Sequence, residues 1–287
     1  MAKGRELKQR IKSVENTRKI TRTMEMVATS KLKRAADRVH AARPYAEALG
    51  EVISSLYSAE LAQRFPLLRQ PATVKRAGVL LLTSNRGLAG AFNSNLIKEA
   101  RNLVAKLEKD GIEVELHAAG RKGIGYFKYV NRALATQRTD LTDRPTAADA
   151  ISLVDVMMQS YIDGRLDAVY VVYANFKSVL STPPTAKRVL PVEPPPKAAK
   201  QRDFLLYPSA DEILGELLPS YVRNAVYRAL VETAAGEQAA RRTAMKNATD
   251  NATDMLGILR RTYNRTRQAQ ITQEIAEIVG GAAALSG

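Results

Sequence analysis

The chain has 287 residues, with 44 Lys and Arg against 29 Asp and Glu, for a formal net charge of +15 at pH 7. Hydrophobic residues at 45% and charged residues at 25% belong to a folded protein with a core, not to a disordered tail. The absence of cysteine excludes disulfides, thiolate metal sites and a thiol nucleophile, and two histidines, His40 and His117, are too few for an ordinary zinc centre.

The longest apolar runs, 78–82 and 168–173, fall well short of the roughly 20 residues that cross a bilayer, so no direct membrane insertion is expected. The N-terminus is charged from Lys3 and has no apolar stretch, which is unlike a secretory signal. Glu6 and Glu15 set it apart from a transit peptide as well, so the chain is expected to remain in the cell that makes it.

Charge is unevenly spread: residues 1–43 hold 13 Lys and Arg against 4 Asp and Glu. Apolar side chains recur here at helical spacing, through Leu7, Ile11 and Val14, then Ile20, Met24 and Val27, then Leu32, Ala35, Val39 and Ala42, with Leu49, Val52 and Leu56 beyond. The spacing predicts one long helix from about Gly4 to Tyr57, kinked at Pro44, and some 50 helical residues rise on the order of 75 Å. A stripe this narrow seeks a single partner helix.

Between residues 77 and 192 the pattern changes to alternating β and α. Strands are expected at Ala77–Thr83, Ile112–His117 and Leu166–Tyr173, a weaker one at Arg132–Gln137 and an edge strand at Lys187–Val192. Helices are expected at Asn93–Lys109 and Thr146–Ile162. This alternation predicts a Rossmann-like α/β domain with a mainly parallel sheet. The Pro- and Lys-rich stretch 191–203 reads as an extended surface loop.

From Ser209 to Leu285 a second long helix is predicted, opened by a capping box of Ser209 and Glu212. Its stripe reads Met245, Ala248, Ala252, Met255, Leu259, Thr262, Thr266 and Ala269, then Ile271, Ile275, Ile278, Ala282 and Leu285. The fold class is therefore α/β, with a long antiparallel coiled coil of the N- and C-terminal helices bracketing the sheet. Its divisions are 1–57 for the first helix, 58–208 for the α/β domain and 209–287 for the second helix.

Motifs for chemistry are sparse. The loop after the first strand, Ser84–Asn93, stands where a phosphate cradle would, yet Gly87 and Gly90 give GxxG and not GxGxxG. The later run Gly120–Gly125 is likewise misordered, and no Gly-Lys dipeptide exists for a Walker A loop. These glycines read as turn residues, His117 as a strand-end residue, and no cofactor is expected. The basic arm allows three readings: a solvated helix face, a grip on nucleic acid, or a fit to an acidic protein partner. Without Phe, Tyr or Trp in residues 1–43 it offers no stacking platform for single strands.

Specific runs narrow these choices. Residues 16–35 (NTRKITRTMEMVATSKLKRA), 42–46 (ARPYA), 83–93 (TSNRGLAGAFN), 244–256 (AMKNATDNATDML) and 263–285 (YNRTRQAQITQEIAEIVGGAAAL) closely resemble the gamma subunit of the F-type ATP synthase, in order along the whole chain. The resemblance implies a non-catalytic central rotor shaft that couples proton flow to ATP synthesis. It further implies contacts with the alpha and beta subunits, the epsilon subunit and the c-subunit ring, with no nucleic acid, and a peripheral place on the cytoplasmic face of the bacterial plasma membrane. Missing cysteine implies the absence of the chloroplast thiol switch.

By the same resemblance, Met24 passes the beta subunits, and Arg267, Gln268 and Thr272 meet beta-subunit loops, whereas Arg241, farther from the tip, matters less. Residues 278–285 would occupy an apolar sleeve. Phe204 and Tyr207, in the segment 203–208, fall where relatives meet the c ring, with Tyr207 replacing an acid common among them. The reading from charge and helix pattern alone also supports a basic coiled-coil scaffold for nucleic acid, which would lose duplex affinity steeply as salt rises.

Overall fold

The computed structural model describes residues 2–56, 64–193 and 209–286. They divide into two compact units, one of residues 1–28 with 242–287 and one of residues 29–241. Both terminal helices, α1 (Ala2–Leu56) and α5 (Ala210–Ser286), contribute to each unit. Tyr57, the expected end of α1, lies outside the described residues, and Pro44 stands inside the helix without ending it. The N–H of Glu212 donates to Ser209 Oγ at 3.2 Å, the first half of the expected capping box.

In the first unit the two helices run antiparallel. Thr249 Oγ1 bonds Thr21 Oγ1 at 2.9 Å, Arg260 Nη2 lies 3.1 Å from Glu15 Oε1, and a Cβ on Gly4 would stand 3.4 Å from Gln270 Oε1. The partner positions descend along α5 as they ascend along α1. Its seam corrects the expected stripe. On α5 the inward positions are Met245, Thr249, Ala252 and Leu256, continuing through the half-buried Leu259, Tyr263, Thr266 and Gln270, whereas Met255 is 52% exposed. On α1 Thr21 and Ala28 are buried, while Ile20 and Val27 are 60% and 50% exposed. Helix geometry selects by angle, and a close-packed seam accepts small and hydroxyl-bearing residues in preference to the larger apolar neighbours one position away.

The second unit is built on a five-stranded sheet: β1 (Arg76–Leu82), β2 (Glu113–Ala119), β3 (Thr136–Arg138), β4 (Ala168–Ala174) and β5 (Pro184–Leu190). The order is β3-β2-β1-β4-β5, with β1 parallel to both neighbours, β3 parallel to β2, and β5 antiparallel at the edge. Strand β1 is buried beyond its first residue, as a central parallel strand must be. Asp167 fixes its start by accepting the Lys75 and Arg76 N–H groups at 2.8 and 3.0 Å.

Helices cover both faces. Ala77, Val79 and Leu81 face α2 (Phe92–Lys109) and α3 (Arg121–Tyr129), while Leu80 and Leu82 face α4 (Ala147–Ile162) and the 214–230 stretch of α5. Leu49 and Ile53 of α1 join this second face, and Leu32, Ala35 and Val39 form a smaller core with Val231, Ala235 and Ala239. Thr146 and Asp149 form a complete capping box on α4.

Helix α3 corrects the reading of the 120–125 glycines as turn residues for Gly123 and Gly125, which lie within it. Gly120, at φ +104°, begins the turn, and a Cβ there would stand 2.1 Å from Thr83 O. Gly123 sits within the helix with its N–H on Thr83 Oγ1 at 3.0 Å, so both glycines let α3 approach the end of β1. Val192, expected on a surface loop, is buried and donates its N–H to Leu67 O at 2.9 Å; residues 194–203 lie outside the described residues.

His117 occupies the interior of β2, not its end. It is 1% exposed, with Nδ1 2.8 Å from Thr136 Oγ1 and Nε2 3.2 Å from Glu115 Oε1, the latter without the alignment of a hydrogen bond. Burial lowers its pKa, although Glu115 pulls the other way. The unfolded chain therefore takes up a proton near pH ~6.5 that the folded chain resists, and stability should fall as pH drops through that value. His117→Asn should flatten this slope in urea titrations between about pH 7 and 5. An unchanged slope would show that the ring does not carry it.

Candidate functional site

In a doubly wound sheet the carboxyl edge, at the point where the strand order reverses, is the ordinary place for a ligand. That point lies here between β1 and β4. The loop after β1 bonds within the protein. Ser84 N donates to Asn93 Oδ1 at 3.0 Å and Ser84 Oγ to Arg86 O at 2.6 Å. Asn85 donates to Thr139 O and Leu141 O at 3.0 and 2.8 Å and accepts the Arg121 N–H at 3.0 Å. Groups that would cradle a phosphate in a nucleotide-binding relative here tie three segments together.

Helix α5 closes the same edge. Thr233 Oγ1 accepts the Ala174 N–H at 3.3 Å and Glu232 Oε2 the Phe176 N–H at 3.2 Å, so donors released where β4 ends are satisfied by the helix. Gly236 permits the crossing, because a Cβ there would meet Ala174 Cβ at 3.0 Å and Phe92 at 3.3 Å. One turn on, Arg241 Nη2 binds Glu237 Oε1 at 2.5 Å and Gly87 O at 3.2 Å. Arg241 is 8% exposed and bonded on two sides, so its expected use as a residue of lesser effect than Arg267 does not fit its burial.

Helix α1 is pinned to this region by a second polar set. Lys31 Nζ is paired with Asp143, and Arg38 Nη1 donates to the Asp143 carbonyl at 3.4 Å. A cavity of about 440 Å³ remains between residues 82–86, 141–145 and 230–237. Its two carboxylates are already engaged. Burial raises the pKa of Glu237, with Arg241 opposing. Burial also acts to raise Asp143, but Lys31, Arg86 and Arg241 outweigh it and hold the carboxyl below its usual range.

Of this polar run, Glu232 to Arg241, only Arg241 is named from the sequence, and for another reason. The signal of the run is a cluster of Glu, Thr, Gln and Arg at positions that face inward, together with Gly236 inside a helix; none of it forms a motif.

The expected partner-contact residues lie in the other unit. Met24 is half-buried on α1, while Arg267, Gln268 and Thr272 are exposed on α5, Thr272 Oγ1 donating to Gln268 O at 3.0 Å. The antiparallel pairing sets Met24 near the level of Thr249, roughly 27 Å of helix rise from Arg267, so the two are not brought together. Phe204 and Tyr207 lie outside the described residues. An apolar flank stays bare on both helices, through Ile20, Val27, Met255 and Ile258, and it continues toward the end of α5 as Ile271, Ile275 and Ile278. Exposed apolar side chains repeated along a helix pair in this way are suited to protein contact. No described helix is long and apolar enough to cross a membrane.

An α/β sheet joined to a pair of long terminal helices that expose apolar side chains has the architecture of a subunit with protein partners. The chain belongs to the ATP synthase family, whose model matches residues 3–285. Over 290 residues it is 68% identical to the ATP synthase gamma chain of Gemmatimonas aurantiaca, covering 100% of both chains. Its fold is similar to a chain in a Euglena gracilis mitochondrial ATP synthase structure of OSCP, F1 and c-ring in rotational state 3, with TM-score 0.68, 21% identity, and 99% and 95% of the two chains covered. Another Euglena gracilis structure, of the rotor in rotational state 1, gives TM-score 0.63 at 20% identity, covering 94% of this chain and 99% of that one.

Proposed function

We propose that this chain is the gamma subunit of an F-type ATP synthase and serves as its central rotor shaft. Full-length identity of 68% to a gamma chain is the observation that carries this reading. The helix pair turns inside the hexamer of alpha and beta subunits, and the sheet unit is the foot that meets the epsilon subunit and the c-subunit ring. By function the divisions are 1–57 and 209–287 for the shaft and 58–208 for the foot. Catalysis stays with the beta subunits, and the chain acts by displacing them in turn. Its place is peripheral, on the cytoplasmic face of the plasma membrane.

The mechanism rests on asymmetry. Exposed Ile20, Val27, Met255 and Ile258 form an apolar flank, while Arg267 and Gln268 are exposed polar groups toward the tip. A rotor of this kind presents a different chemistry to each beta subunit at every angle. Torque applied to the foot reaches α5 through Glu232, Thr233 and Arg241 and reaches α1 through Lys31 and Arg38.

Met24→Lys tests the coupling role. A long cation on the α1 surface that passes the beta subunits should bind too well at one angle and deepen one well in the rotation. In assembled enzyme ATP hydrolysis should persist while ATP-driven proton pumping falls several-fold. A strictly proportional fall of both would remove Met24 from the coupling surface. The basic scaffold reading predicts instead a salt-sensitive duplex affinity, and nothing beyond the charge of α1 favours it.

A further inference from the structure

Strand β5 is an edge strand of the sheet, and Lys187 lies on it opposite Val171, on the sheet face that α5 covers. A pocket of about 60 Å³ opens there between the strand and the helix, bordered by Lys187, Tyr173, Tyr221, Asn224, Arg228 and Glu232. Donors outnumber acceptors. Arg228 Nη2 reaches Glu232 Oε1 at 3.4 Å, and the other oxygen of Glu232 already accepts the Phe176 N–H. Among the described residues the Lys187 ammonium, the Tyr173 and Tyr221 hydroxyls and the Asn224 amide have no side-chain partner. Two cations thus border a pocket whose one carboxylate already has a partner on each oxygen.

We propose that this pocket binds a small inorganic oxyanion of the phosphate class, held between Lys187 and Arg228 with the two phenols and the Asn224 amide as further donors. Guanidinium and ammonium groups converging with neutral donors are the chemistry that recognises such an ion. Partial desolvation lowers the pKa of Lys187 and the like charge of Arg228 adds to the effect, while Glu232 opposes both without cancelling them. A charge on an edge strand also discourages strand-to-strand aggregation, which accounts for a lysine at 187. It does not account for Arg228, two open hydroxyls and an amide meeting it at one pocket. A bound ion would bridge β5 to α5 and remove the repulsion between their cations.

The test is thermal unfolding of the full-length chain in inorganic phosphate against potassium chloride at equal ionic strength. Phosphate should raise the midpoint saturably. Lys187→Gln should weaken the apparent affinity about tenfold or more, the loss of a charge-assisted bond, while Lys98→Gln on the exposed face of α2 leaves it unchanged. Should Lys187→Gln not fold, Tyr221→Phe keeps both charges and is expected to weaken phosphate-dependent line broadening in phosphorus NMR several-fold. No midpoint shift beyond the chloride control overturns the proposal, as does an equal shift in wild type and Lys187→Gln, or equal line broadening in wild type and Tyr221→Phe.

Discussion

Arg241→Ala is expected to destabilise the full-length chain by about 3–5 kcal/mol, because it leaves the Glu237 carboxylate buried without its counter-ion. The wild-type pair is short, at 2.5 Å, both side chains are about one-tenth exposed, and Arg241 also holds the Gly87 carbonyl. The cost thus combines an unpaired charge with an unanchored loop. Two further readings separate these parts in urea titrations. Glu237→Gln added to Arg241→Ala should recover a share of the loss by removing the orphaned charge. Lowering the pH should shrink the deficit, since burial already raises the Glu237 pKa and removing Arg241 raises it further, so the variant gains stability as the carboxyl protonates. A double variant as unstable as the single one, with a deficit that does not change with pH, would assign the effect to lost packing alone.

The second large effect belongs to the shaft. Arg267→Ala should reduce ATP synthesis by assembled enzyme about tenfold or more, the worth of one charge-assisted hydrogen bond made as a beta subunit passes. The fold of the isolated chain should be unaffected, because Arg267 is exposed and none of the described residues pairs with it. Arg241 cannot serve as the mild control on this helix, being buried and bonded to the foot. Lys246→Ala can, since Lys246 is exposed and its pair with Asp250 at 3.1 Å is of the weak surface kind. Equal mildness of both substitutions, with circular dichroism unchanged, would make Arg267 an ordinary solvated charge.

Periodicity made the architecture legible. Long runs such as 77–83 and 166–173 are buried on both faces and read as strands without ambiguity, and the two terminal helices carry a 3/4 repeat over many turns. The exact seam was not legible on either helix, because Met255 and Leu256, or Ile20 and Thr21, satisfy nearly the same spacing. Only the angle at which the helices meet decides between them, and it favours the close approach that Thr21, Ala28 and Thr249 allow. Helix α3 was missed for a related reason: Gly120 and Gly123 look like breakers, yet their missing side chains are what bring the helix against Thr83.

The sequence speaks to the expected contacts near the tip and not to the bonds around the sheet edge. Arg267, Gln268 and Thr272 sit in a run that resembles its family closely, which lets the sequence name them as expected contacts, and the structure leaves all three exposed. The contacts between foot and shaft could not be named in this way. Glu232, Thr233 and Arg241 bond backbone N–H groups at a strand end and a loop carbonyl more than fifty residues away in sequence, and a backbone group leaves no trace in the residue that supplies it.

Rotation itself is the most direct measurement. With alpha and beta subunits of the same enzyme fixed to a surface and a bead attached to the foot of this chain, ATP should drive one-way turning in thirds of a revolution, one for each catalytic beta subunit. Covalent attachment of the shaft to one beta subunit should stop both turning and sustained hydrolysis. Sustained hydrolysis at the unmodified rate with the shaft held fast would contradict the account.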